Sequence, residues 1–219
     1  MKITVVGAHG QVAMLLHPMM MKRGHEIRGI IRKNEQAEEL RKNGVEPVVA
    51  DIENMTDISD PVGKVDAVVF AAGAGPGSGS ERKWDVDRDG AIKLIEAAQK
   101  NGIKRYIMIS AMGLDEPRGD KVFQDYQKAK AEADEALIYS GLDYTILRPG
   151  RLTDDAGTGL VAIEENLPPG EVPREDVAAV IAEILELPET TGYQFDLTGG
   201  NMPIREALKN ATATSAGKS

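Results

Sequence analysis

The chain has 219 residues, 42% of them hydrophobic and 28% charged, enough for one well-buried domain. It contains no cysteine, which excludes a disulfide framework, a thiolate nucleophile and a cysteine-based zinc site. A net charge of −9 disfavours a nucleic-acid partner, and no apolar run approaches the length of a membrane span.

The opening run Lys2–Val6 reads as a strand rather than a signal peptide, so a cytoplasmic protein is expected. Further strands are predicted over Glu26–Ile31, Glu46–Ala50, Ala67–Ala71, Arg105–Ser110, Asp143–Leu147 and Tyr193–Leu197. Several are nearly continuous apolar runs, as strands covered on both faces should be. Helical spacing lies between them, carried by Val12, Leu15, Leu16 and Met19, then Ile92, Ile95 and Ala98, then Ala129, Ala133, Ala136 and Leu137, then Val177, Val180, Ile181 and Ile184. Strands alternating with helices predict an α/β fold with a doubly wound parallel sheet. With no linker evident, residues 1–208 form one domain, and the small, polar residues 209–219 read as a disordered tail. Pro18, inside the first helix, predicts a kink or an early end.

Directly after the first strand comes Gly7-Ala8-His9-Gly10-Gln11-Val12-Ala13. Gly7 permits a tight turn, Gly10 lets backbone approach a phosphate, and Ala13 lets helix pack on strand. The N–H groups that begin the helix, at Gln11 and Val12, then face the anion, with His9 a turn residue beside it. This is the arrangement of a dinucleotide pyrophosphate site. Ligands of parallel sheets bind at the carboxyl ends of strands, so residues 73–80, 111–120 and 148–159 should border the cofactor. The second strand ends in Arg32-Lys33 and not in the carboxylate that would hold a ribose hydroxyl. Arg32 suits a 2′-phosphate and Lys33 adds charge, so NADP(H) is predicted over NAD(H). The alternative is a solvated basic loop. Asp51 and Ile52 should lie beside the adenine, and Ala71, Ala72 and Gly73 close to the adenosine ribose.

Tyr126 and Lys130 stand one helical turn apart on one face. The ammonium should lower the phenol pKa, giving a group that donates a proton to a carbonyl as hydride arrives. Lys130 is also placed to bond the nicotinamide ribose. Ser110, ending the fifth strand, is placed to bond the reacting oxygen, and Asp87 to position a water or the lysine. A chance Tyr-x-x-x-Lys pair is the competing explanation. His9, His17 and His25 share no helix face, so no metal site is predicted. Trp84 is placed to line a substrate pocket or to cap the core, and Arg174 and Asp176 to begin a helix and tie it to the body.

Together these motifs resemble the atypical short-chain dehydrogenase/reductases, in the single-domain group labelled NAD(P)-dependent epimerases or dehydratases. The resemblance rests on Gly7-x-x-Gly10-x-x-Ala13, on Val86-Asp87-Arg88-Asp89-Gly90-Ala91-Ile92, on Leu142 through Gly150 and on Leu152 through Gly159. It implies a Rossmann-like sheet with a small carboxyl-terminal lobe, NADP as cofactor, and Pro149, Gly150 and Leu152 beside the nicotinamide. The leading expectation is an NADPH-dependent reductase of a small carbonyl, quinone or flavin-like acceptor. The alternatives are a non-catalytic NADP(H) sensor and, last, a nucleotide-sugar epimerase or dehydratase, for which the chain after Gly150 is short. A small-molecule substrate is the expected partner, and monomer and homodimer both stand open.

Overall fold

Neighbouring side chains on the central strands go to opposite faces of the sheet. Val5 and Val69 enter one apolar cluster, and Val6 and Phe70 the other. Strands buried on both sides need helices on both sides, and the chain supplies them. The coordinates are a computed structural model that describes residues 1–75 and 77–216. Pro76, in the glycine-rich loop, and residues 217–219, at the end of the expected tail, lie outside the described residues.

The strands are β1 (Lys2–Val6), β2 (Glu26–Ile31), β3 (Glu46–Val49), β4 (Ala67–Phe70), β5 (Arg105–Ile109), β6 (Asp143–Pro149), β7 (Arg151–Thr153), β8 (Leu160–Glu164), β9 (Glu171–Pro173), β10 (Tyr193–Gly199) and β11 (Met202–Pro203). Nine of them form one sheet in the order β11-β8-β10-β6-β5-β4-β1-β2-β3, and β7 and β9 pair separately. From β10 to β3 every pairing is parallel, while β8 and β11 close the edge antiparallel. This is a Rossmann-like sheet, and its order reverses between β1 and β4, which opens a crevice there.

The helices are α1 (Gln11–Lys22), α2 (Ala37–Lys42), α3 (Ser59–Val62), α4 (Ser80–Arg82), α5 (Gly90–Asn101), α6 (Lys121–Ile138), α7 (Arg174–Ile184) and α8 (Ile204–Ala216). A π-helical segment, Lys83–Asp89, joins α4 to α5. Residues of α1, α7 and α8 pack in one cluster, and those of α3, α5 and α6 in the other.

The strands β7, β8, β9 and β11 escaped the sequence reading; β7, β9 and β11 are too brief to show a period, and β8 lies in the antiparallel edge of the sheet. Of the two outcomes expected at Pro18, the early end does not occur: helix α1 runs through the proline, which sits on its exposed face. One expectation is corrected. Where a disordered tail was expected from residue 209, α8 continues to Ala216. Leu208, Ala211 and Thr212 are buried, and the Tyr193 hydroxyl donates to the Thr212 carbonyl (3.2 Å). Small residues such as alanine and threonine fit a helix lying close against a sheet edge.

Candidate functional site

The turn after β1 is made of backbone. Gly7 has φ +80°, and a Cβ there would stand 2.6 Å from the Ala72 backbone. The Gly10 N–H donates to the Gly7 carbonyl (2.9 Å), and Met14 N–H to Gly10 (2.9 Å). No side chain caps α1, so the N–H groups of its first turn stay available, as an anion site requires. Ala13, fully buried, lets the helix lie against the sheet.

A cavity of about 240 Å³ opens at this turn. Of the proposed cofactor residues, Gly7, His9, Gly10, Arg32, Asp51, Ile52, Ala71, Ala72 and Gly73 line it. Gln11, Val12, Lys33, Lys130, Pro149, Gly150 and Leu152 do not. His9 turns towards α2, with Gln36 donating to Nδ1 (3.2 Å) and Nε2 facing the Glu39 carboxylate (2.7 Å), which assigns the proton to Nε2. A larger hollow of about 710 Å³ lies between β8, β11 and α8, and none of the proposed site residues lines it.

Asp51 spends its carboxylate locally, accepting from the Glu53 N–H (3.0 Å) and the Asn54 amide (2.8 Å). That turn presents Glu53 to two arginines. Arg32 Nη1 donates to Glu53 Oε1 (2.8 Å), and Arg82 donates through Nε and Nη2 (2.9 Å from Nη2 to Oε1). The Arg82 side chain holds the Glu53 carboxyl below the usual carboxylate range, with Arg32 adding to the effect. Arg82 also donates to the Ala74 carbonyl, and Lys83 to that of Gly75, which fastens the glycine-rich loop. Arg82 and Glu53 carry no sequence motif, and only the folded chain brings them together.

The proposed catalytic residues form a second, side-chain-built region. Asp120 caps α6 by accepting from the Phe123 N–H (2.8 Å). Tyr126, Lys130 and Asp134 then follow at intervals of four, along one face. Lys130, buried, donates to the Ile109 carbonyl (3.0 Å) and pairs with Asp87 (3.3 Å). Burial alone would depress its pKa, but Asp87, Tyr126 and Asp134 outweigh burial and raise it. Asp87 sits on the π-helical segment, fully buried, and accepts from the Ala74 N–H (3.2 Å). Asp134, also buried, takes the Nε–H of Arg148 (2.8 Å) at the end of β6. Burial raises the Asp134 carboxyl, against opposing pulls from Arg148 and Ser110.

The expected lowering of the Tyr126 pKa is overturned. Burial raises it, Lys130 pulls the other way, and Asp87 and Asp134 add to the rise. The phenol is therefore held neutral, as a proton donor must be. Ser110 is buried beside Asp134, and Lys130 is committed to Asp87 and Ile109 rather than turned towards the cavity. The pairing of Asp134 with Arg148 was missed in the sequence, although Asp134 continues the Tyr126–Lys130 spacing by one more turn. Trp84 stacks on Arg88, whose Cζ is 4.8 Å from the ring centroid.

The two regions meet at Gly73. It lines the cavity, and a Cβ there would stand 3.2 Å from Asp87 Oδ1. Gly150 N–H donates to the Leu197 carbonyl (2.9 Å), and its Cα packs against the Gly170 backbone, leaving no space for a side chain. Helix α7 begins at Arg174 and ties down the 154–159 loop, as the sequence predicts for Arg174 and Asp176. Asp176 accepts from the N–H groups of Thr158 (3.0 Å) and Gly159 (2.8 Å), Glu175 from Gly157 (2.8 Å), and Arg174 pairs with Asp154 (2.6 Å).

Among the described residues no group of three His, Asp or Glu is arranged to hold a metal ion, and no helix is long and apolar enough to cross a membrane. A profile for NAD(P)H-binding proteins matches residues 7–188. The chain is 40% identical over 212 residues to the Bacillus subtilis protein YhfK, named an uncharacterized sugar epimerase, covering 95% of this chain and 99% of that one. A solved Bacillus halodurans protein of the NAD-dependent epimerase/dehydratase type superposes with a TM-score of 0.91 at 41% identity, covering 96% of this chain and 99% of the other. ChuY, an anaerobillin reductase of Escherichia coli O157:H7, is 25% identical, with a TM-score of 0.76 over 91% of this chain and 97% of its own. The chain belongs to the NAD(P)H-binding family of atypical, epimerase/dehydratase-like short-chain dehydrogenase/reductases.

Proposed function

We propose that this protein is an NADPH-dependent reductase of a small carbonyl, quinone or flavin-like acceptor. One observation carries the reading. Tyr126 stands one turn of α6 from Lys130, whose buried pair with Asp87 abuts the dinucleotide cavity through Gly73. The first-turn N–H groups of α1 would hold the pyrophosphate, and Arg32 the 2′-phosphate. The dinucleotide, when bound, supplies a hydride to the acceptor carbon. Tyr126 donates its proton to the oxygen that gains charge, so one hydride and one proton complete the reduction. Lys130 stays charged against Asp87, and its field stabilises the phenolate left behind. The reductase activity in the name of ChuY agrees with this reading.

The burial of Ser110 and the commitment of Lys130 favour a second reading, hydride transfer to a flavin or quinone without a protein acid. One experiment separates the two: NADPH oxidation against quinones, flavins, aldehydes and ketones, with Tyr126→Phe beside the wild type. Loss of turnover in the variant supports the tyrosine acid, and equal turnover supports the second reading. Tight NADPH binding without turnover on any acceptor rejects both and leaves a cofactor sensor. The cofactor choice has its own test. Arg32→Glu should weaken NADPH by roughly 100-fold relative to NADH, and equal losses would remove Arg32 from the phosphate site.

A further inference from the structure

The Glu53 carboxylate occupies the place between Arg32 and Arg82 on the wall of the dinucleotide cavity. Its Oε1 accepts from both guanidinium groups, and Arg82 grips it through two nitrogens. The segment that carries it is anchored. Asp51 fixes the turn from one side, and Lys93 donates to the Ile52 carbonyl (2.7 Å) from the other. An anion held by two arginines at the end of β2 has the chemistry of a bound phosphate monoester.

We infer that Glu53 is an internal stand-in for the 2′-phosphate of NADP, and that it sets the balance between NADP and NAD. In the free protein it keeps Arg32 and Arg82 paired and poised. A 2′-phosphate, with more charge and three acceptor oxygens, displaces the carboxylate and takes both arginines. Arg82 is thereby a second phosphate ligand. Ribose without the phosphate leaves the Glu53 pairs intact, so NAD is not charged for their loss. The inference rests on the NADP reading above, and the test keeps the two apart.

Binding of 2′,5′-ADP and of 5′-AMP is measured by calorimetry on the wild type, Glu53→Gln and Arg82→Gln. Glu53→Gln should tighten 2′,5′-ADP by roughly tenfold and leave 5′-AMP unchanged, because the competing charge is gone. Arg82→Gln should weaken 2′,5′-ADP by roughly tenfold and leave 5′-AMP unchanged. Unchanged 5′-AMP binding also reports that each variant is folded. If Glu53→Gln weakens 2′,5′-ADP, the residue only positions the arginines and the inference fails. If Glu53→Gln weakens 5′-AMP, Glu53 holds the ribose hydroxyls and the inference fails as well. An Arg82→Gln protein that binds 2′,5′-ADP normally overturns the role of Arg82. A wild type that binds the two nucleotides equally overturns the NADP reading itself.

Discussion

The turn between β1 and α1 and the side-chain cluster beneath α6 solve opposite problems. At the turn, Gly7 and Gly10 leave out side chains so that backbone closes tightly, Gly7 against Ala72 and Gly10 against the Gly7 carbonyl, with the first amides of α1 left uncapped. Under α6, charged side chains are buried and must satisfy one another, as Asp87 does Lys130 and Asp134 does Arg148. A site of the first kind is sensitive to added volume, and one of the second kind to lost charge. A bulky residue at Gly10, whose φ is ordinary, should therefore spare the fold and destroy binding, and a truncation in the cluster should do the reverse.

Gly10→Val makes the sharpest break. Gly10 has φ −70°, which valine accepts, but its Cβ would stand 3.1 Å from the Gly7 carbonyl and crowd the turn that presents the first amides of α1. Dinucleotide binding should fall by 100-fold or more, about 2.7 kcal/mol, with an unchanged circular dichroism spectrum. Asp87→Ala should act on the fold instead. It strands the Lys130 ammonium in the interior, and denaturant unfolding should report a loss of about 3–5 kcal/mol. A loss below about 1 kcal/mol would mean the lysine finds another partner.

Tyr126→Phe tests whether the cluster performs chemistry as well as folding. Turnover should drop by roughly 10²-fold or more with NADPH affinity unchanged. Because burial raises the phenol pKa, the proton donor persists to high pH. Carbonyl reduction should stay level through neutral pH and decline only above about 10, and the variant should lack that decline. A fall beginning near neutral pH would assign the proton to another group.

The smallest effect belongs to His17, the titratable group beneath the turn. It is fully buried, and its Nε2 bonds the Ala8 carbonyl (2.7 Å). Burial lowers its pKa, and the Ala8 bond only partly opposes this. The unfolded chain therefore binds the proton more readily. Stability is intact above an unfolded value of about 6.5 and falls with pH below it, by at most about 1.4 kcal/mol per pH unit. His17→Gln should flatten that segment of the stability curve.

Much of the sheet could be read from the chain because several strands are nearly continuous apolar runs, and the glycine turn because its constraint is local. The Glu53–Arg82 pair could not, since 29 residues separate partners that share no pattern. The sign of the Tyr126 shift could not either. Spacing reveals the neighbouring charge, but the depth of burial is a property of the folded chain.

The acidic start of α7 carries one more consequence. Its carboxylates hold the amides of residues 157–159, and α7 packs along α1, which begins at the glycine turn. A stretch that is a loop by backbone shape is thus, energetically, part of a helix pair. The 157–159 stretch and the glycine turn at the head of α1 belong to one cooperative unit, so loosening either draws on the stability of the other.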